Sequence, residues 1–240
     1  MTADRWTQAV RQQLGLGRLL PLGGPRDGAW IAEEAAGTVM RRAGNAVPGV
    51  RLGALRIGLA DPDAAHAPAV PPPPTALPPG PLRLTADVAA TATEPLPTAA
   101  ARLRTALSAA AAERLGLTVS EVDLRVTALL EQELEQETEP DVARPPKPPR
   151  ARQPVGGEAA LVAAAALAVP GVTNLTEALG RAVHIEESQR EASLPRRHVR
   201  VELAVDADHR AVEVARKVRT RVGIALQDHP TVAVLITVVS

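Results

Sequence analysis

The stretch AAGTVMRRAGNAVPGV, residues 35–50, runs directly into RLGALRIGL, residues 51–59. Ile31, Ala35, Val39 and Ala43 recur at steps of four, with Ala32 and Ala36 beside them, which is the spacing of one buried helix face. Arg41 and Arg42 stand near the C-terminal end, where cations suit the helix dipole. Pro48 cannot continue the helix and Gly49 supports a turn. Leu55, Ile57 and Leu59 then alternate with Arg56 and Gly58, the period of a half-buried strand.

The same punctuation returns as Val169-Pro170-Gly171-Val172 after an Ala-rich run. Downstream of each copy come an alternating strand, a long helix and a last apolar strand. The reading is an α+β chain of two tandem α-β-β-α-β units, each a three-stranded sheet covered by two helices. Residues 1–26 form an N-terminal arm, 27–130 the first unit, 131–156 a linker and 157–240 the second unit.

In the first unit a helix is expected from Trp30 to about Ala46, capped by Asp27. A proline-rich loop, 61–80, follows the first strand; with Pro71–Pro74 consecutive, it is expected to be extended and solvated. Leu82, Leu84, Ala86 and Val88 alternate with polar residues, Pro97–Leu115 reads as helix, and Val122, Leu124 and Val126 form the closing strand. Glu131–Asp141 is acidic and Arg144–Pro154 is basic and proline-rich, as expected for a spacer. The second unit predicts a helix over Glu158–Ala168 and a first strand interrupted around Gly180. A loop at 189–197 and a second strand, Val199–Val205, come next. The helix Asp208–Gln227 and the apolar strand Thr231–Val239 complete it.

Positive and negative charges balance at 27 each, which removes a general electrostatic attraction to nucleic acid or anionic membrane. Cysteine is absent, excluding disulfides, thiolate metal sites and cysteine nucleophiles. Trp6 and Trp30 are the only aromatics among Phe, Tyr and Trp, so base-stacking surfaces are lacking. A signal peptide and a transmembrane helix are not expected, because the most apolar run, Ala160–Val169, is too short to span.

Chemistry-bearing patterns are sparse. Asp206, Asp208, His209 and His229 flank the last helix but match no metal-ligand spacing. Asp87 and Asp206 end the two second strands and read as caps or turn residues; His184 and His198 read as surface residues on neighbouring strands. Phosphate-binding loops, serine elbows and the GxxG clamp of KH-type RNA modules are missing. No catalytic residue, cofactor or metal is expected. The candidate interaction surface comprises Trp6, Leu14, Leu19 and Leu20 in the arm, whose leucines would need a partner if exposed, and the basic helix face Arg216, Lys217, Arg219 and Arg221. The first reading is a non-enzymatic interaction protein that pairs through sheet edges; the alternative is a nucleic-acid-associated module using that basic face.

At Ile31–Val50 with Leu82–Thr127, and at Ala159–Val172 with Val199–Val239, the chain resembles the bacterial alkaline-shock protein family. It also resembles uncharacterised actinobacterial proteins whose group name is borrowed from a nucleopolyhedrovirus P10 protein. The alkaline-shock resemblance implies a non-enzymatic, cytoplasmic protein of envelope stress or homeostasis. Such a protein self-associates and in some members sits at the inner face of the membrane through a separate anchor protein. Joining two units in one chain, with an inserted loop and an arm, departs from that family, and the tandem would substitute for a homodimer.

Overall fold

The computed structural model describes residues 17–130, 151, 154, 156–188 and 196–240. Along them run β1 (Leu19–Leu22), β2 (Ala29–Ala32), α1 (Glu33–Asn45), β3 (Val50–Leu59), β4 (Leu82–Thr91), α2 (Leu96–Ala109) and β5 (Val119–Leu130). These are followed by α3 (Gly157–Leu167), β6 (Val172–Leu175), β7 (Val183–Ser188), β8 (Arg196–Val205), α4 (Ala211–Ala225) and β9 (Thr231–Val239). A π-helical turn, Ala110–Leu115, extends α2 and ends at Gly116, whose φ of 86° favours glycine.

The class is α+β, with two sheets. In the three-stranded sheet, β3 pairs antiparallel with β4, and β4 pairs parallel with β5. Leu82, Leu84, Ala86 and Val88 are buried while Arg83 and Thr85 face outward, as their alternation predicts. The larger sheet has the order β1-β2-β9-β8-β6, with β7 also on β8. β6 pairs with Leu203–Val205, whereas β7 pairs with Arg196–Val201, so the expected interrupted strand is two strands sharing one neighbour.

Two strands that precede α1 belong to this larger sheet. β2 lies parallel to β9, with Trp30 opposite Leu235 and Ile31 opposite Ile236, and β1 pairs antiparallel with β2. This corrects the expected helix start: Trp30 and Ile31 are strand residues, and α1 begins at Glu33. The physical reason is burial on both faces of β2. A fully buried run carries no two-residue period, and pairing with β9 outweighs local helix spacing. The residue preceding α1 is Ala32, which makes no side-chain cap; Asp27 is used elsewhere.

The proline-rich loop is also not a free solvated excursion. Leu77 N donates to Leu19 O at 2.9 Å, Trp30 Nε1 donates to Leu77 O at 3.2 Å, and Val70 is buried. The loop thus covers β1, supplying a donor to a carbonyl that an edge strand would otherwise expose. Leu19 and Leu20, expected as arm surface, are instead 1% and 0% exposed within β1. Trp6, Leu14, the acidic stretch Glu131–Asp141 and residues 189–195 of the loop expected at 189–197 lie outside the described residues, while Arg196 and Arg197 are not loop but the start of β8, paired with β7.

One apolar cluster contains Met40, Leu84 and Leu103 from the first half and Trp30, Val201, Val218 and Ile236 around the larger sheet. Trp30 is the largest fully buried side chain in it. Trp30→Ala should lower the unfolding free energy by about 3–5 kcal/mol, read as a shifted urea midpoint. A loss below about 1 kcal/mol would contradict the placement of Trp30 in this core.

Candidate interaction surfaces

The basic face of α4 divides into two parts. Its opposite side, with Val212, Ala215, Val218 and Val222, is buried. Arg216 donates from Nε to Asp27 Oδ1 at 2.8 Å and from Nη2 to Asp27 Oδ2 at 3.0 Å, a two-pronged ion pair, and from Nη1 to Glu213. Asp27 also accepts Gly24 N at 2.7 Å. The Arg216 bond outweighs burial and holds the Asp27 carboxyl below its ordinary range. Arg219 donates to the carbonyls of Arg26, Asp27 and Val232, tying the β1–β2 hairpin and β9 to the helix.

Lys217 and Arg221, one helical turn apart, are exposed and make no ion pair among the described residues. With Val169, Pro170, Arg216 and Thr220 they line an open groove of about 280 Å³. The four cations chosen from sequence are therefore not one free stripe: Arg216 and Arg219 hold the fold together, and two remain at the groove.

A second surface is the outer face and edge of the three-stranded sheet. Arg83 pairs with Glu121 at 2.5 Å and Asp123 at 3.6 Å, and Arg125 pairs with Asp87 at 2.8 Å. Arg83–Glu121 and Asp87–Arg125 are direct partners in the β4–β5 register and Arg83–Asp123 is a diagonal pair, so Asp87 serves an ion pair rather than the expected cap. Beyond them, β5 has no further strand on its outer edge among the described residues. Val126 and Leu129 on it are 42% and 62% exposed.

Sequence reasoning missed Glu202, a charged residue at an outward position of the β8 alternation that is fully buried. The segment between β6 and β7 folds across it: Thr176 N donates to Glu202 O, Leu179 N donates to Glu202 Oε2 at 2.9 Å, and Glu202 N donates to Ala182 O. Glu202 Oε1 and Arg200 Nε stand 3.6 Å apart and are buried without a hydrogen-bond partner. Burial pushes this carboxyl up to about 7, against the lowering pull of the Leu179 amide and the Arg200 charge. Only the interruption of the first strand near Gly180 hinted at such a cover.

Among the described residues, no three His, Asp or Glu side chains are grouped to hold a metal ion. Asp206 accepts Asp208 N at 2.8 Å in the turn before α4, and His229 Nδ1 contacts Gly223 O. His184 lies beside Glu186, while His198, expected on the surface, is buried against Thr231, and that burial lowers its pKa. No described helix is long and apolar enough to cross a membrane. Comparisons with protein-family models, curated proteins and solved structures give no match.

Asp27→Ala should cost about 1–3 kcal/mol in thermal or urea unfolding, because it removes the Arg216 pair and the Gly24 turn bond together. Glu202 gives a pH-dependent test. Its unfolded carboxyl ionises near 4.5 and its folded one near 7, so its stabilising contribution is complete below 4.5 and is lost as pH rises through 7. Against Glu202→Gln, wild type should lose about 3 kcal/mol between about pH 4 and about pH 8. His198 acts with the opposite sign, its contribution falling as pH drops, and it cancels in this comparison because both proteins retain it. A wild-type-minus-variant difference that stays flat with pH would contradict the buried-carboxyl account.

Proposed function

We propose that the chain is a non-enzymatic interaction protein, a structural scaffold of the envelope-stress type, whose binding surface is the outer edge of β5. The observation that carries this reading is that edge: twelve residues long, open among the described residues, and bearing exposed Val126 and Leu129. An unpaired row of backbone donors and acceptors is a template for another strand.

The finer architecture under this proposal is a tandem of two divergent α-β-β-α-β units. It accounts for the shared order α1-β3-β4-α2-β5 and α3-β6/β7-β8-α4-β9, and for an antiparallel first pairing and parallel second pairing in both. Under that correspondence β9 is the counterpart of β5, and β2 already covers its edge. The same position in the first unit stands open among the described residues. A cytoplasmic location, with a separate anchor protein at the inner membrane face, rests on the alkaline-shock resemblance.

A nucleic-acid-associated module remains as a second reading because Lys217 and Arg221 converge on the groove. Affinity capture of the tagged full chain from its native cells, with soluble and membrane fractions kept apart, separates the two. The scaffold reading expects a protein retained by wild type and lost with Leu124→Pro. Its recovery in the membrane fraction would identify an anchor. Captured nucleic acid as the sole partner, lost with Lys217→Glu/Arg221→Glu and kept with Leu124→Pro, would overturn it.

A further inference from the structure

The β5 edge carries its own complement. We infer that it pairs antiparallel with β5 of a second copy across a two-fold axis at Leu124, joining two three-stranded sheets into one. This rests on reading the β5 edge as the interaction surface, and it commits that surface to a single occupant.

The backbone of β5 sets which groups are available. Thr118 O, on the approach to the strand, accepts Leu82 N, and a one-residue irregularity follows between Val119 and Glu121. Beyond it Val122 O accepts Arg104 Nε at 3.2 Å from α2, so this carbonyl points away from β4. Strand alternation then turns the amides and carbonyls of Leu124 and Val126 to the same outer edge. A two-fold at Leu124 makes Leu124 face its own copy and Val122 face the second copy's Val126, each as a mutually hydrogen-bonded pair once Arg104 Nε yields Val122 O to the second copy. The partly buried Val122 and Leu124 and the exposed Val126 share the helix-covered side of the sheet, where the second copy would cover them.

The charges choose this register over its neighbours. With the axis at Leu124, Asp123 lies opposite the second copy's Arg125, twice over. Moving the axis to Asp123 sets Asp123 against Asp123, and moving it to Arg125 sets Arg125 against Arg125, each a like-charge contact at cross-strand distance. Slipping by a single residue in the pairing sum would put apolar residues opposite polar ones and bring them to opposite faces. The side chains concerned are free to respond: Asp123 and Arg125 are 61% and 74% exposed, and each already pairs on one side, with Arg83 and Asp87. In the dimer they become links of an ionic ladder running across both sheets.

Sedimentation velocity of the full chain over about 1 μM to about 500 μM tests this. Wild type should pass from monomer to dimer, and either Asp123→Arg or Arg125→Asp alone should weaken the dimer by about tenfold or more, because each sets like charges opposite one another. Mixing the two single variants should restore dimer, since every Arg then faces an Asp; misfolded variants could not rescue each other this way. Leu124→Pro removes the outward N–H along with a leucine packed on the core, and should abolish the dimer while the circular dichroism of the monomer stays native. A wild type that is monomeric throughout the range overturns self-pairing. So does a dimer indifferent to these variants. If that monomer still retains a cell protein sensitive to Leu124→Pro, self-pairing has failed and the interaction surface has not.

Discussion

Everything in this fold depends on the parallel seating of β2 against β9. Ala29–Ile31, near the start of the described chain, meets Val234–Ile236 near its end. The contact sets Trp30 over Leu235, directs the chain into α1, and so fixes where α1 can lie relative to both sheets. Arg219 reinforces it by spanning from the hairpin carbonyls to Val232 O, and Arg216 fastens the same hairpin through Asp27. A strand borrowed from one end of the sequence to complete a sheet at the other brings both sheets onto one apolar core.

That arrangement also decides which surfaces remain. The larger sheet has its flanks covered in part: the proline-rich loop lies along β1, and Ala151 N donates to Leu175 O beside β6. The smaller sheet receives no added strand on β5 among the described residues. The two sheets therefore differ at this edge, and the exposed apolar side chains Val126 and Leu129 fall on it too. The basic helix face loses much of its independence for the same reason, since holding β2 in place consumes two of its four cations.

The sequence made legible those elements whose apolar residues recur with a regular period. β4, α2 and β8 each carry a clean two- or near-four-residue period, and Pro48-Gly49 and Pro170-Gly171 mark the turns that precede β3 and β6. What it concealed has a common cause in long-range pairing. β1 and β2 are buried on both faces, which erases periodicity and leaves Trp30 and Ile31 looking like the start of a helix. The loop 61–80 reads as solvent-exposed from its prolines, but whether a proline-rich segment is wet depends on a strand far back in the chain, as Leu77 on Leu19 shows. Of the candidate site residues, Leu19 and Leu20 proved to be core and Arg216 and Arg219 structural. Glu202 was invisible because its cover comes from a segment without regular structure.

Amide hydrogen exchange of the full chain, followed at low and at high protein concentration, tests this account most directly. The account predicts that Trp30, Val234 and Ile236 exchange slowly and together at every concentration, because their amides lie in the one β2–β9 ladder, while Leu124 and Val126 exchange fast when dilute and become protected when concentrated. Independent opening of β2 from β9, or β5 amides whose protection ignores concentration, would contradict it.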